Sequence, residues 1–288
     1  MADLTPVNEP ANDTTIKPKV SGAKRRAVRR WVNRITWAVI ILAPLVFALA
    51  AIGYKLGLFD LGFAFGTLNQ KIGPLMLLLC GVMGIASLIA AFVVSPRKGL
   101  VPGVLGILIT AGAFAKLGAT KKAVYVDLPF IHDVTTDTQN PPVFGEVVMA
   151  ERAKVEGVNT ADYIGKKAPI FTDEKPSGEE LVSALQTKAF PEIRPVILSD
   201  TKDVVFGEAL ATAKSMGWKI KEEDLASGRI DATDTTFWYG FDDDVTIRLR
   251  DSEGGGTIVD VRSLSRIGGS DLGKNAERVG EFLEKLAE

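Results

Sequence analysis

Long uncharged apolar stretches at residues 35–53, 72–94 and 99–115 fill the first part of the chain, and alternation of apolar and polar positions takes over beyond them. A helix crossing a hydrocarbon core of roughly 30 Å needs about 20 apolar residues. The stretches therefore predict membrane helices over about 35–54, 72–94 and 99–117, so that residues 35–118 form a membrane region. The third stretch is the shortest, and a buried or re-entrant helix is its alternative reading.

Residues 124–288 have the pattern of a globular domain. Phe206, Leu210, Ala213 and Met216 recur at helical spacing, with Gly217 placed to end that helix. A strand is expected at 218–222. Ile230, Ala232 and Asp234 then alternate with Asp231, Thr233 and Thr235, ahead of the apolar Phe237-Trp238-Tyr239. Val245, Ile247 and Leu249 alternate with Thr246, Arg248 and Arg250, and Val259 and Val261 alternate with Asp260 and Arg262. Glu253-Gly254-Gly255-Gly256 joins these last two strands as a hairpin, and Leu272, Ala276, Val279, Leu283 and Leu286 stripe a final helix. Less regular sequence predicts helices near 146–157 and 178–189, with extended chain around Pro141-Pro142 and 191–195. The fold class expected is α+β: N-terminal transmembrane helices, then a two-layer domain of about four antiparallel strands packed against helices. The other sheet face is expected to be polar and to meet solvent.

Charge sets an orientation. Lys17, Lys19, Lys24, Arg25, Arg26, Arg29, Arg30 and Arg34 precede the first span, and Arg97 with Lys98 separate the second from the third. Lysine and arginine favour the cytoplasmic side, so the N-terminus and the second link are expected inside and the globular domain outside. Lys116, Lys121 and Lys122 pull the other way. The address this implies is a bacterial inner membrane, multi-pass, with a cytoplasmic N-terminus and a periplasmic C-terminal domain. Ala48-Leu49-Ala50 offers a signal-cleavage form, but the basic segment before it is too long for one. Residues 1–34 have the composition of a disordered basic tail. With no ionisable residue inside any predicted span, a transporter is disfavoured. The net charge of −1 offers no nucleic-acid partner. The single cysteine, Cys80, lies in the second span, so a disulfide framework or thiolate metal site is excluded.

Ordered motifs now carry a resemblance. Ile131-His132-Asp133-Val134-Thr135-Thr136-Asp137 with Asn140-Pro141-Pro142-Val143-Phe144 resembles the opening of the domain of unknown function 1499 family. Met216-Gly217-Trp218, Phe241-Asp242-Asp243-Asp244-Val245-Thr246-Ile247-Arg248 and Val261-Arg262-Ser263-Leu264-Ser265-Arg266-Ile267-Gly268 are similar to its later hallmarks, as is Ser270-Asp271-Leu272-Gly273-Lys274-Asn275-Ala276. The resemblance covers the globular domain, leaves out the membrane helices, and implies no activity.

Candidate chemistry is sparse. Gly268-Gly269-Ser270-Asp271-Leu272-Gly273-Lys274 fits a phosphate-loop spacing, but Asn275 replaces the magnesium-binding hydroxyl and Asp271 would repel phosphate. A glycine turn with Ser270 or Asp271 capping the last helix is the expectation. His132, the only histidine, has Asp133 and Asp137 close in sequence, so the three are the candidates for acid–base work, against ordinary turn and cap roles. Asp242-Asp243-Asp244 lacks the alternation of a calcium loop and reads as a solvated strand entry. Arg248, Arg262 and Arg266 are the candidate ligand-binding residues, able to take an anionic headgroup, a glycan or a partner from the polar sheet face. Cross-strand ion pairs explain them equally well. No metal or cofactor is expected. The sequence thus points to a membrane-anchored, non-catalytic envelope binding or assembly module contacting the bilayer and an envelope lipid, glycan or membrane protein. The alternative is an envelope lipid- or glycan-acting enzyme using His132 and Asp137.

Overall fold

A computed structural model describes residues 22–172 and 174–288. The chain forms two compact units: residues up to Ala48 with Phe65–Ala113, and Leu49–Ala64 with Phe114–Glu288.

Three helices run long and apolar enough to cross a membrane: α1 (Gly22–Lys55), α2 (Gly73–Val93) led by the π-helical stretch Gly62–Ile72, and α3 (Leu100–Lys122), which continues to Asp127. Helix α1 starts earlier than composition suggested. Residues 22–34, read as part of a disordered tail, are helical, whereas 1–21 lie outside the described residues. Alanine, arginine and lysine are good helix formers, and this segment also has partners to hold it. In the first unit Arg29 is buried and donates to the carbonyls of Val94 and Pro96, while Asn33 donates to Lys98 O at 3.2 Å. Small residues bring α2 and α3 together. A Cβ at Gly84 would fall 2.9 Å from Gly103 O, and one at Gly106 2.9 Å from Cys80 O. Backbones can approach this closely only where side chains are absent. Thr110 Oγ1 donates across the same contact to Leu77 O at 2.7 Å.

The second unit carries the α+β domain. An antiparallel sheet runs β1-β8-β7-β6-β5, from β1 (Asp133–Thr135), β8 (Thr257–Ser265), β7 (Asp242–Asp251), β6 (Arg229–Thr235) and β5 (Lys219–Asp224). The short β4 (Val196–Leu198) shares the β8 edge with β1. A separate hairpin pairs β2 (Lys167–Thr172) with β3 (Lys175–Leu181). Helices α5 (Val182–Ala189), α6 (Lys202–Ser215) and α7 (Lys274–Leu286) supply apolar side chains to one core with one sheet face, among them Leu185, Val205, Ala209, Val279 and Phe282 against Ile230, Val245, Ile247, Val259 and Val261. Register explains the choice of face: Val245↔Ser263, Ile247↔Val261 and Leu249↔Val259 put every alternate side chain of β7 and β8 towards the helices.

The opposite face differs from expectation. It is polar, yet Asp231, Thr233, Asp244, Thr246, Asp260, Arg262, Leu264 and Arg266 are all buried. The segment from Thr136 to Lys166, with the short helix α4 (Glu146–Arg152), crosses it; Phe144 and Val148 pack on Leu264 there. The expected solvent face is therefore covered by this largely irregular segment. A sheet face that alternation marks as polar can still be covered when each charge meets a counter-charge.

Candidate functional site

Arginine–carboxylate pairs fill the covered face. Arg262 sits on Asp133 through Nε (2.9 Å) and Nη2 (2.8 Å), with its remaining donors on the carbonyls of Pro142 and Ala161. That fork-on-fork geometry suits a planar guanidinium. Phe144 and Tyr163 lie 5.1 and 5.5 Å from its guanidinium carbon. Arg266 and Arg152 share Asp244, at 2.8 Å each, and Arg266 also meets Glu151 and Asp242. Burial pulls the Arg152 guanidinium down; Arg266 is raised, its burial outweighed by hydrogen bonds to Asp244 and Glu151. Arg248 and Arg250 lie nearer solvent, both on Asp260 and both within reach of Asp137. On the helix side Arg278 joins Asp243 (2.7 Å) and Asp234 (2.8 Å). Of the three consecutive aspartates, Asp242 and Asp244 thus meet Arg266 on the covered face, and Asp243 meets Arg278 on the other. Among the described residues no group of three or more histidine, cysteine, aspartate or glutamate side chains is placed to hold a metal ion.

His132 lies before β1, at the margin of this network. Its Nδ1 is 3.1 Å from Gly269 O and its Nε2 3.0 Å from Lys166 Nζ. A carbonyl only accepts, so Nδ1 carries the proton and Nε2 accepts a hydrogen bond from the ammonium. Lys166 also donates to Thr160 O (3.3 Å) and lies 3.8 Å from Asp133 Oδ2. Burial and the adjacent ammonium lower the imidazole's pKa, and burial lowers that of Lys166. Phe130, Lys166, Ala168, Pro169 and Gly269 close a mostly apolar cavity of about 110 Å³ beside the ring. That is well below the roughly 300–1,000 Å³ of ordinary small-molecule sites. The dyad can hold or pass one proton at Nε2.

His132 and Asp137 stay apart. Asp137 accepts the N–H groups of Gln139 and Asn140 and pairs with Arg248, whereas Asp133 bridges Lys166 and Arg262. Of the arginines singled out in the sequence, Arg262 and Arg266 are interior and Arg248 is partly open to solvent. The phosphate-loop spacing resolves as a cap. Asp271 accepts from Gly273 N (2.9 Å) and Asn275 N (2.8 Å) at the start of α7, and burial pushes its pKa up to about 6. Lys166, Arg152 and Arg278 gave no signal in the sequence; each finds its partner only through the fold.

The arginine-bearing strands and the α7 cap coincide with a family match: the model described as Protein of unknown function (DUF1499) matches residues 133–286. The chain belongs to the DUF1499 family. The DUF1499 match begins at Asp133 and ends at Leu286, the last residue of α7, so it takes in every ion pair of the covered face and leaves the three apolar helices outside. Comparison with curated proteins finds no match.

Proposed function

We propose that this DUF1499 protein is a membrane-anchored, non-catalytic envelope module that binds a lipid, a glycan or a membrane protein. In this reading it sits in a bacterial inner membrane with its N-terminus in the cytoplasm and its α+β domain in the periplasm. The supporting observation is that the buried arginines of the domain are spent on its own carboxylates. A catalytic set needs groups free to meet substrate, and here the buried charges act as a frame. The basic residues up to Arg34, ahead of the apolar part of α1, and those between α2 and α3 support the orientation. Arg248 is the ligand contact to test, since it is the sequence-nominated arginine that reaches solvent.

Native mass spectrometry of the full chain, extracted in mild detergent, tests this. A reproducible adduct that dissociates as one lipid, glycan or protein, and that Arg248→Ala removes without unfolding the domain, is the expected result. A bare monomer overturns stable binding. Arg262→Ala and Arg266→Ala are poor probes, because stranding a buried carboxylate costs about 3–5 kcal/mol by itself.

His132 supports a second reading, an envelope lipid- or glycan-acting enzyme with His132 and Asp137 in acid–base roles. Its motivation is the neutral imidazole lining the small cavity. This reading requires His132→Gln to abolish cellular function at an unchanged melting temperature; full complementation by that variant rules it out.

A further inference from the structure

The β6–β7 hairpin turns through Thr236-Phe237-Trp238-Tyr239-Gly240-Phe241 and is closed by hydrogen bonds. Thr236 N donates to Phe241 O (2.8 Å), Gly240 N to Thr236 O (3.0 Å) and Phe241 N to Thr236 Oγ1 (2.8 Å), with Gly240 left-handed at φ 69°. At its tip Phe237 and Trp238 are 76% and 65% exposed, packed edge-to-face on each other with centroids 5.3 Å apart. Two adjacent large aromatics held out on a hydrogen-bonded loop are costly in water, which single scattered apolar residues are not.

The tip does not stand alone. Within the same unit, Lys55 Nζ donates to Phe237 O at 2.9 Å and lies 5.3 Å from the Phe237 ring centroid. Tyr54 meets Phe241 at 5.5 Å and Tyr239 at 6.3 Å. Tyr54 and Lys55 are the last residues of α1, a helix apolar and long enough to cross a bilayer. Leu56 and Leu58, which follow, are 66% and 69% exposed. Leucine, phenylalanine, tryptophan, tyrosine and one lysine therefore gather where a membrane helix ends. Aromatic rings concentrate at the headgroup level, and a lysine there extends its ammonium to the polar boundary.

We propose that the β6–β7 tip is an interfacial membrane anchor, with Phe237 and Trp238 seated at the headgroup–acyl boundary of the bilayer that α1 crosses. The lipid surface is favoured over a protein partner because the patch is continuous with the end of a membrane helix and carries the residue types of an interface belt. The domain is then fixed to the membrane at a point separate from its covalent tether. This stands whether or not the domain binds a ligand as proposed above.

The full-length chain in lipid nanodiscs, with Trp31→Phe, Trp37→Phe and Trp218→Phe, leaves Trp238 as the one emitter. Lipid brominated high on the acyl chain should quench its emission about twofold or more, and aqueous iodide should quench it little, as an interfacial ring requires. Strong iodide quenching without bromolipid quenching places the tip in water and overturns the proposal. Protection from both quenchers means a protein covers it, and overturns it equally. Since Trp218 is buried against Phe282, the same quenching is also read as the difference between the native chain and Trp238→Phe, which keeps Trp218.

Discussion

His132 is held between an acceptor and a cation, and that fixes both its tautomer and its acidity. Gly269 O takes the Nδ1 proton and Lys166 serves Nε2, so protonating Nε2 would set two cations 3.0 Å apart. Burial and Lys166 lower the pKa in the folded state, and the unfolded chain titrates near 6.5. The unfolded state then binds the proton first as pH falls. The stability associated with neutral His132 is present above about pH 6.5 and is lost as pH falls through that value towards the folded pKa. Since the chain has one histidine, ¹⁵N-histidine NMR of the full-length protein should report an Nδ1–H ring with a midpoint below about 6.5. Lys166→Met should raise the midpoint; an unchanged one would deny the contact. None of this was legible in the sequence, where His132 and Lys166 are separated by 34 positions and nothing in either neighbourhood marks the pair. The arginines were legible as residues and illegible as pairs, because alternation gives the face a side chain occupies but not what covers that face.

Long, alternating elements could be read from the chain, and the short helices α4 and α5 in outline; the short or exposed strands could not. Strands β6, β7 and β8 and helices α6 and α7 follow their apolar periodicities. Strands β1 and β4 span three residues each, too few to show a period, and β3 (KPSGEEL) is exposed and mostly polar. Helix α4 shows how a short element is held by its environment. Gly145 precedes it with an ordinary φ of −72° and donates its N–H to Asp231 Oδ2 at 2.9 Å. A Cβ there would stand 2.5 Å from both Asp231 Oδ2 and Glu222 Oε2 and 2.9 Å from Arg229 Nη2. Asp231 is fully buried, so it has little room to yield. Gly145→Ala should therefore destabilise the domain by about 1–3 kcal/mol through overpacking, at an N-cap position where alanine is also the poorer residue. Thermal unfolding of the two proteins measures it, and an equal or higher Tm for the variant would show that the carboxylates move aside freely.

For the whole molecule, the orientation proposed from charge can be read chemically. Cys80, the only cysteine, is buried against Gly106 O in the membrane helices, so Cys80→Ser gives a thiol-free background. Glu253→Cys then places a thiol on the exposed β7–β8 turn. A membrane-impermeant maleimide should label it in intact spheroplasts. Labelling only after the membrane is opened would put the domain in the cytoplasm and invert the proposed orientation.

The position of β8 in the sheet bears on the order of events during synthesis. Its partners all precede it in sequence: β7 immediately before it, β4 earlier, and β1 earlier still, with the Asp133–Arg262 pair spanning 129 positions. The β1 segment leaves the ribosome roughly 10 s before β8 can meet it, at about 5–20 residues per second. Throughout that interval Asp133 lacks the Arg262 guanidinium, and once β7 is made its β8 edge has no neighbour until β8 follows. The three apolar helices precede all of this in the chain, so they can enter the bilayer while the domain is still an open, slow-closing chain. Tethering confines that chain to a surface, away from others in solution, during the period when its unpaired strands are most prone to join the wrong partner.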